Sequence, residues 1–192
     1  MYGGSASGKS SYAESFAMSL QGEGRLLYIA TMYPYKWNTT EIDPETMQRI
    51  ERHRAMRADK GFDTVECYWH VEHIVAKRQD VLLLECMSNL LANEMYLEPD
   101  SNAGSDMAET MSPVSNKIVQ ALIDLSTRVQ ELVIVTNDVF SDGGSLTYDE
   151  STREYVKNLA EINCALAREA ATVTEVVCGI PVIVKKNHPM GK

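Results

Sequence analysis

The most constraining feature of the sequence is the segment GGSASGKS near its start, which matches the pattern G-x-x-x-x-G-K-[ST] in full. Its residues are Gly3, Gly4, Ser5, Ala6, Ser7, Gly8, Lys9 and Ser10. The glycines let successive backbone N–H groups converge on a β-phosphate. Lys9 reaches the β- and γ-phosphates, and the hydroxyl of Ser10 is placed to bind Mg²⁺. A helical pattern over Ser11–Leu20 follows at once, which favours a phosphate-binding loop over a simple Gly/Ser-rich turn.

Length and composition indicate what kind of molecule carries this loop. The 192 residues, 44% of them apolar, suit one globular domain with a sizeable core. The loop stands where a signal peptide would be, and no apolar run approaches the ~20 residues of a membrane span, so we expect a cytoplasmic protein. A net charge of −9 argues against a nucleic-acid surface. The four scattered cysteines, Cys67, Cys86, Cys164 and Cys178, are predicted to be buried free thiols.

Short β-type runs alternate with helical patterns along the chain. This alternation predicts an α/β fold in which helices flank a mostly parallel sheet. The predicted strands are Arg25–Ala30, Thr64–Cys67, Val81–Glu85, Leu132–Thr136, Glu175–Cys178 and Val182–Val184. The further predicted helices are Pro44–Ala58, Cys86–Tyr96, Lys117–Val129 and Ser151–Ala171. Between two of them, the acidic and small residues of Leu97–Pro113 predict a surface loop within a single domain 1–192.

Several predicted strands end in polar residues. Val81–Glu85 is an apolar strand that ends in a carboxylate, where an enzyme with such a loop places an acidic group for Mg²⁺. Buried strands also often end in a charge simply because the chain meets solvent. Thr31 and the segment Thr136-Asn137-Asp138 follow their strands in the same way, and each suits either a pocket wall or a turn cap.

A basic cluster occupies one predicted helix of this acidic chain. It contains Arg49, Arg52, His53, Arg54 and Arg57. On a helix, Arg49, His53 and Arg57 share a face. Guanidinium groups bind phosphate oxygens bidentately, and nearby positive charge disfavours an imidazolium, which leaves a neutral His53 able to act as a nucleophile. The spacing suits a solvated basic helix with an incidental histidine equally well.

The remaining histidines give weaker signals. His70 and His73 have a spacing that suits a metal ion, but no third ligand is evident, which favours a capping or surface role. His188 lies in the terminal segment Lys185–Lys192, where fraying is expected.

The order of these motifs points to one family. They are Gly3–Ser10, Tyr28–Thr31, Arg49-Ile50 with His53-Arg54 and Arg57, Glu66-Cys67, Leu82–Cys86, Val135–Val139, Glu161–Asn163 and Gly179–Pro181. Over almost the whole chain they resemble the bifunctional adenosylcobinamide kinase / adenosylcobinamide-phosphate guanylyltransferase family of cobalamin biosynthesis. The phosphate loop is shared by many families, whereas its combination with the Arg/His helix is specific. The resemblance implies a P-loop NTPase-type, RecA-like fold.

The resemblance implies two reactions and their reactants. A nucleoside triphosphate, ATP or GTP with Mg²⁺, phosphorylates the aminopropanol hydroxyl of adenosylcobinamide. GTP then guanylylates the adenosylcobinamide phosphate, and a histidine that maps onto His53 carries GMP as a phosphoramidate. The implied nucleotide contacts are Gly3–Ser10, Thr31, Met32, Tyr33, Arg54, Arg57, Glu66 and Glu85, with Lys9 in a catalytic role and Ser10 and Glu85 on the metal. A homo-oligomer is implied as well.

The sequence also departs from the family pattern. Asp138 stands where the family often has Glu, and Ser141–Gly144 replaces a Gly-rich continuation, which affects the substrate side of the pocket. The strand before the loop is reduced to Met1 and Tyr2. Two alternatives stay open at this point: another small-molecule P-loop kinase in which His53 is structural, and a nucleotide-binding regulator without chemistry.

Overall fold

The computed structural model describes residues 1–36, 39–97, 111–139 and 148–187. The helices are α1 (Lys9–Leu20), α2 (Pro44–Arg57), α3 (Met87–Tyr96), α4 (Pro113–Arg128) and α5 (Glu150–Glu169), with a 3-10 turn at Val71–His73. The strands are β1 (Leu26–Ala30), β2 (Phe62–Glu66), β3 (Val81–Glu85), β4 (Glu131–Val135), β5 (Thr172–Val177) and β6 (Ile180–Lys186). Every predicted element is present, with ends that differ by up to four residues.

The largest of these differences is at the start of α4. This helix begins at Pro113 instead of Lys117, because the side chain of Ser112 accepts a hydrogen bond from the N–H of Ser115 and proline occupies the first turn. Residues 98–110 of the predicted loop lie outside the described part of the chain, as do the segment Ser141–Gly144 and His188.

Four strands form a parallel sheet in the order β2-β1-β3-β4. The register aligns Ala30 of β1 with Glu66 of β2 and with Glu85 of β3, and Glu85 in turn with Val135 of β4. The carboxyl ends of the strands therefore meet along one edge. β1 and β3 are covered on both faces, which explains why their sequences are nearly continuous apolar runs.

The first residues of the chain lie between β4 and the antiparallel hairpin β5–β6. The N–H of Thr136 donates to the carbonyl of Met1 at 2.9 Å, and Tyr2 exchanges backbone hydrogen bonds with Thr174 and Val176. The phosphate loop consequently starts at the same edge at which the parallel strands end.

Two apolar layers cover the sheet. On one face Leu82, Leu84 and their neighbours pack against α3, α4 and α5. On the other face Ala13 and Ala17 of α1 contact Leu83 and other strand residues. The small alanines let α1 approach the sheet closely, which brings the loop at its start over the strand ends. No helix of the described residues is long and apolar enough to cross a membrane.

The cysteines correct one prediction. All four are free, but Cys164 and Cys178 are exposed, and Cys67 and Cys86 are only partly buried. Cys164 is not among the buried residues of α5, and Cys178 belongs to the turn between β5 and β6, where its φ is +50°. Partial burial still affects the acidity of Cys67, because desolvation raises the pKa of its thiol to about 11.

A buried carboxylate connects the chain segments at the opposite edge of the sheet, where β1 and β3 begin. Asp80 is fully buried and accepts hydrogen bonds from the backbone N–H groups of Arg25 and Lys77 at 3.0 and 2.8 Å. It also pairs with the guanidinium of Arg25 at 2.6 Å. Burial alone would raise the pKa of Asp80, but these hydrogen bonds outweigh it and hold the pKa below its ordinary value of 3.8.

We predict that Asp80→Asn destabilises the protein at pH 7 by about 1–3 kcal/mol, because an amide leaves buried donors unpaired. A carboxyl with a depressed folded-state pKa stabilises above its ordinary pKa, and this contribution is lost as the pH falls through the folded value. Urea unfolding from pH 7 to pH 3 should therefore show the difference shrinking. Asp124→Asn removes an exposed charge and serves as the control. A difference that is independent of pH would contradict this account.

Candidate active site

The predicted phosphate loop adopts a compact turn before α1. Gly8 precedes the helix in the left-handed conformation, with φ +87°. Lys9 is 8% exposed, and its ammonium group donates to the carbonyl of Gly4 at 3.0 Å. The hydroxyl of Ser7 is buried without a hydrogen-bond partner among the described residues. The loop thus keeps a buried cation and an unpaired hydroxyl at the edge where the strands end.

The β5–β6 hairpin braces this loop, a role that the sequence analysis did not identify. The N–H of Gly179, in the hairpin turn, donates to the carbonyl of Ser7 at 2.8 Å. A Cβ on Gly8 would lie 3.1 Å from the Cα of Gly179, and one on Gly3 would lie 2.5 Å from the carbonyl oxygen of Val176. The motif Gly179-Ile180-Pro181 was the available signal, but nothing local ties it to a loop far away in sequence.

The loop opens into a cavity of about 380 Å³ between the sheet edge and α2. The predicted site residues on its wall are Ser5, Ala6, Lys9, Ser10, Met32, His53, Arg54, Arg57, Glu66 and Glu85. Among the described lining residues, Asn137 follows β4, as the pocket-wall interpretation of that strand end required. Thr31 and Tyr33 lie outside this wall.

The arginine-rich helix presents the predicted face to the cavity. Arg49, His53 and Arg57 all line it. Within α2 only Arg57 is buried, and its guanidinium carbon lies 3.4 Å from the centre of the Tyr28 ring. Arg54 forms an ion pair with Glu66, and both side chains are about half exposed. The contact of Arg57 with Tyr28 therefore anchors the end of α2 to the sheet, while most of the helix is exposed to solvent.

Arg57 and Tyr28 make an unusual pair. Nε and Nη1 of Arg57 are buried and have no hydrogen-bond partner among the described residues. Desolvation and the charge of Glu85 raise the pKa of Tyr28 far above its usual range, and Arg57 opposes this shift only in part. The phenol stays neutral, so the ring attracts the guanidinium through its π-face. Arg57 lines the cavity, so an anion bound there would pair its unpartnered Nε and Nη1.

Glu85 ends β3 beside the loop. Its Oε2 is buried and has no hydrogen-bond partner among the described residues. The adjacent backbone is fixed by the fully buried Thr31, whose hydroxyl donates to the carbonyl of Cys86 at 3.0 Å and accepts from its N–H at 2.8 Å. Of the two interpretations of Thr31, this structure agrees with the capping role, and its neighbour Met32 lines the cavity instead.

A second cavity of about 270 Å³ adjoins the first and shares Met32, Arg49 and Asn89 with it. Tyr33 lines this second cavity together with Tyr35, and their ring centres are 5.3 Å apart. The sequence analysis missed Tyr35 and Asn89. The run of aromatic residues after β1 was a usable signal for Tyr35, whereas nothing local marks Asn89.

No third ligand beside His70 and His73 was evident from the sequence, but the structure brings a carboxylate to them. Ligand atoms of His70, Glu72 and His73 all lie within 4.8 Å of one another. Glu72 stands between the two histidines in sequence, and only the tight 3-10 turn brings its side chain beside both rings.

A scan against protein-family models matches residues 1–184 to the cobinamide kinase / cobinamide phosphate guanyltransferase family. The chain belongs to this family. Its membership confirms the resemblance read from the motifs, the P-loop NTPase-type α/β fold and the assignment as a kinase and guanylyltransferase of cobalamin biosynthesis. No curated protein matches the chain with significant similarity.

A glycine series tests the contact between loop and hairpin. Gly8→Ala forces an alanine into the left-handed conformation and also creates a close contact with Gly179. We therefore expect it to destabilise the protein by more than the roughly 1–2 kcal/mol of left-handed strain. Gly61→Ala carries the strain alone, since its φ is +73° and its added methyl meets nothing within 4 Å. Gly4→Ala carries neither and should be neutral. Denaturant unfolding measures all three.

Equal destabilisation by Gly8→Ala and Gly61→Ala would contradict this interpretation, because it would mean that Gly179 moves away freely.

Proposed function

We propose that this chain phosphorylates the aminopropanol hydroxyl of adenosylcobinamide with ATP or GTP and then transfers GMP from GTP to that phosphate through His53. The observation that carries the proposal is that two sets of groups meet in one cavity. Lys9 of the phosphate loop and the α2 face with His53 and Arg57 all line it. A kinase alone needs the first set, whereas a nucleophile flanked by arginines suits nucleotidyl transfer.

Buried polar groups without protein partners support nucleotide binding in this cavity. Leaving such a group unpaired is unfavourable by about 1–3 kcal/mol, and by more for a charged group. The guanidinium of Arg57 would be paired by phosphate oxygens, which it binds bidentately. Lys9 now donates to Gly4, and a β/γ-phosphate would replace that carbonyl as its partner.

We assign Mg²⁺ to Ser10 and Glu85. Both line the cavity, at the start of α1 and the end of β3. Hydroxyl and carboxylate oxygens are ligands that Mg²⁺ accepts, and the unpartnered Oε2 of Glu85 fits such an ion. When bound, Mg²⁺ neutralises charge on the phosphates of the nucleotide. The remaining contacts that we propose for the guanine nucleotide are Met32, Tyr33, Arg54 and Glu66, while the buried Thr31 holds the backbone behind them.

The guanylyl transfer that we propose has two displacements. A neutral imidazole nitrogen of His53 forms a bond to the α-phosphorus of GTP, the bond to the bridging oxygen breaks, and pyrophosphate leaves with the ring proton released to solvent. A phosphate oxygen of adenosylcobinamide phosphate then attacks the same phosphorus, the P–N bond breaks, and the imidazole takes up a proton. Arg49 and Arg57 share the face of His53 and stabilise the charge of the departing pyrophosphate.

We further propose a cytoplasmic homo-oligomer without nucleic-acid partners. Apolar side chains of β6 support the oligomer, because an exposed apolar patch of this kind commonly marks a protein contact. They are Ile180, Val182, Ile183 and Val184, which are 46–65% exposed.

Lys9→Ala should lower the rate of adenosylcobinamide phosphorylation by at least about a hundredfold, because the loop loses its cation for the transferred phosphoryl group. Mass analysis of the corrinoid product, with ATP and GTP in parallel reactions, measures this step. Lys157→Ala removes an exposed lysine of α5 and should phosphorylate normally. Wild-type phosphorylation by Lys9→Ala would exclude the loop as the kinase site.

His53→Ala should lose guanylyl transfer while it keeps phosphorylation and a normal melting temperature, since the ring faces the cavity and adds little to the core. GTP labelled at the α-phosphate should leave an acid-labile, base-stable label on denatured wild-type protein and none on the variant. His73→Ala, which changes an exposed histidine outside the cavity, should label normally.

Two results would refute the intermediate: a GMP adduct on His53→Ala, or a wild-type adduct that peptide mass analysis assigns to a lysine or another histidine. Labelling of the protein without any corrinoid product would instead refute only the proposal that adenosylcobinamide phosphate accepts the GMP.

A further inference from the structure

Outside the nucleotide cavity, three metal-ligating side chains come from four consecutive residues. Nδ1 of His70 lies 3.0 Å from Oε1 of Glu72. The imidazole rings of His70 and His73 are stacked, with centroids 5.4 Å apart. The 3-10 turn produces this grouping, because side chains three residues apart eclipse one another in such a helix.

Contacts from other parts of the chain hold the backbone of this turn. The N–H of His70 donates to Oε1 of the buried Glu94 at 2.9 Å. Arg128 donates from Nη2 to the carbonyl of Glu72 at 3.2 Å, and Val71 is buried. A ligand that binds the side chains therefore meets a turn that is already formed, which reduces the entropy lost on binding.

Glu72 indicates what kind of ligand fits. Its Oε2 is buried and has no hydrogen-bond partner among the described residues. A cation beside the two imidazoles would pair this oxygen. Imidazole nitrogen together with carboxylate oxygen suits Zn²⁺, Ni²⁺, Co²⁺ or Cu²⁺, whereas Mg²⁺ and Ca²⁺ prefer oxygen ligands alone.

We propose that His70, Glu72 and His73 form a binding site for one divalent transition-metal ion, separate from the magnesium site of the cavity. Three protein ligands leave a coordination position for water, as in accessible zinc sites. The site lies apart from the proposed nucleotide site, since neither histidine lines that cavity.

A bound ion would stiffen the segment next to the aromatic cluster of the second cavity. Trp69 directly precedes His70, and its ring centre lies 5.7 Å from that of Tyr33, which lines this cavity. Binding of the ion should therefore raise the melting temperature, and a paramagnetic ion should quench the fluorescence of Trp69.

Titration of the nucleotide-free full chain with Ni²⁺, by calorimetry and by tryptophan fluorescence, tests the proposal. We expect one ion per chain, and we expect Glu72→Gln and His73→Gln each to weaken binding at least about tenfold. His53→Gln is the matched histidine control and should bind Ni²⁺ like the wild type. Cys164→Ser/Cys178→Ser should also bind normally, which separates this site from the exposed thiols.

Unchanged Ni²⁺ affinity in His73→Gln and Glu72→Gln overturns the proposal, as does affinity that is lost with the two cysteines. Melting curves without metal show whether each variant folds. His73 is exposed, so His73→Gln should fold and decides the question even if Glu72→Gln does not. A folded His73→Gln that also lacks the metal-induced rise in melting temperature supports the site.

Discussion

Parallel pairing of β1, β3 and β4 is the constraint on which the rest of the structure depends. Because these strands run in one direction and in register, their carboxyl ends meet at a single edge. Glu85 ends β3 there, and the first residues of the chain add their own backbone hydrogen bonds beside β4. The phosphate loop and the acidic residue consequently meet although about 75 residues separate them in sequence.

Charged groups without partners among the described residues also lie at this edge, and their burial beside the apolar layers lowers the stability of the fold. Arg57 and Glu85 keep buried polar atoms without described partners, and both residues line the cavity at this edge. A fold selected for stability alone would pair or replace such groups. Their retention is understandable if a ligand with both anionic oxygens and a cation completes the pairing, and this is what the proposed magnesium nucleotide does.

Local signals in the sequence were sufficient for much of the fold. Lys9 and Glu85 could be predicted to lie at one edge of the sheet, and both line the cavity there, because the loop pattern and an apolar strand are each contiguous in sequence. Gly179 and Glu72 were missed for the opposite reason: their roles arise from a hairpin that packs on a distant loop and from a turn that folds three side chains together. Cys164 was mispredicted because the hydrophobic character of a thiol says little about which helix face it occupies.

The two arginines at the end of α2 differ in what phosphate binding would require of them. Nε and Nη1 of Arg57 are already buried beside the ring of Tyr28, so pairing them with an anion brings little further desolvation of the protein. Arg54 is half exposed and paired with Glu66, and an exposed pair of this kind contributes only about 0–1 kcal/mol. A phosphate can therefore replace Glu66 as its partner at little cost, which would release that carboxylate toward the nucleotide while Arg57 keeps α2 in place.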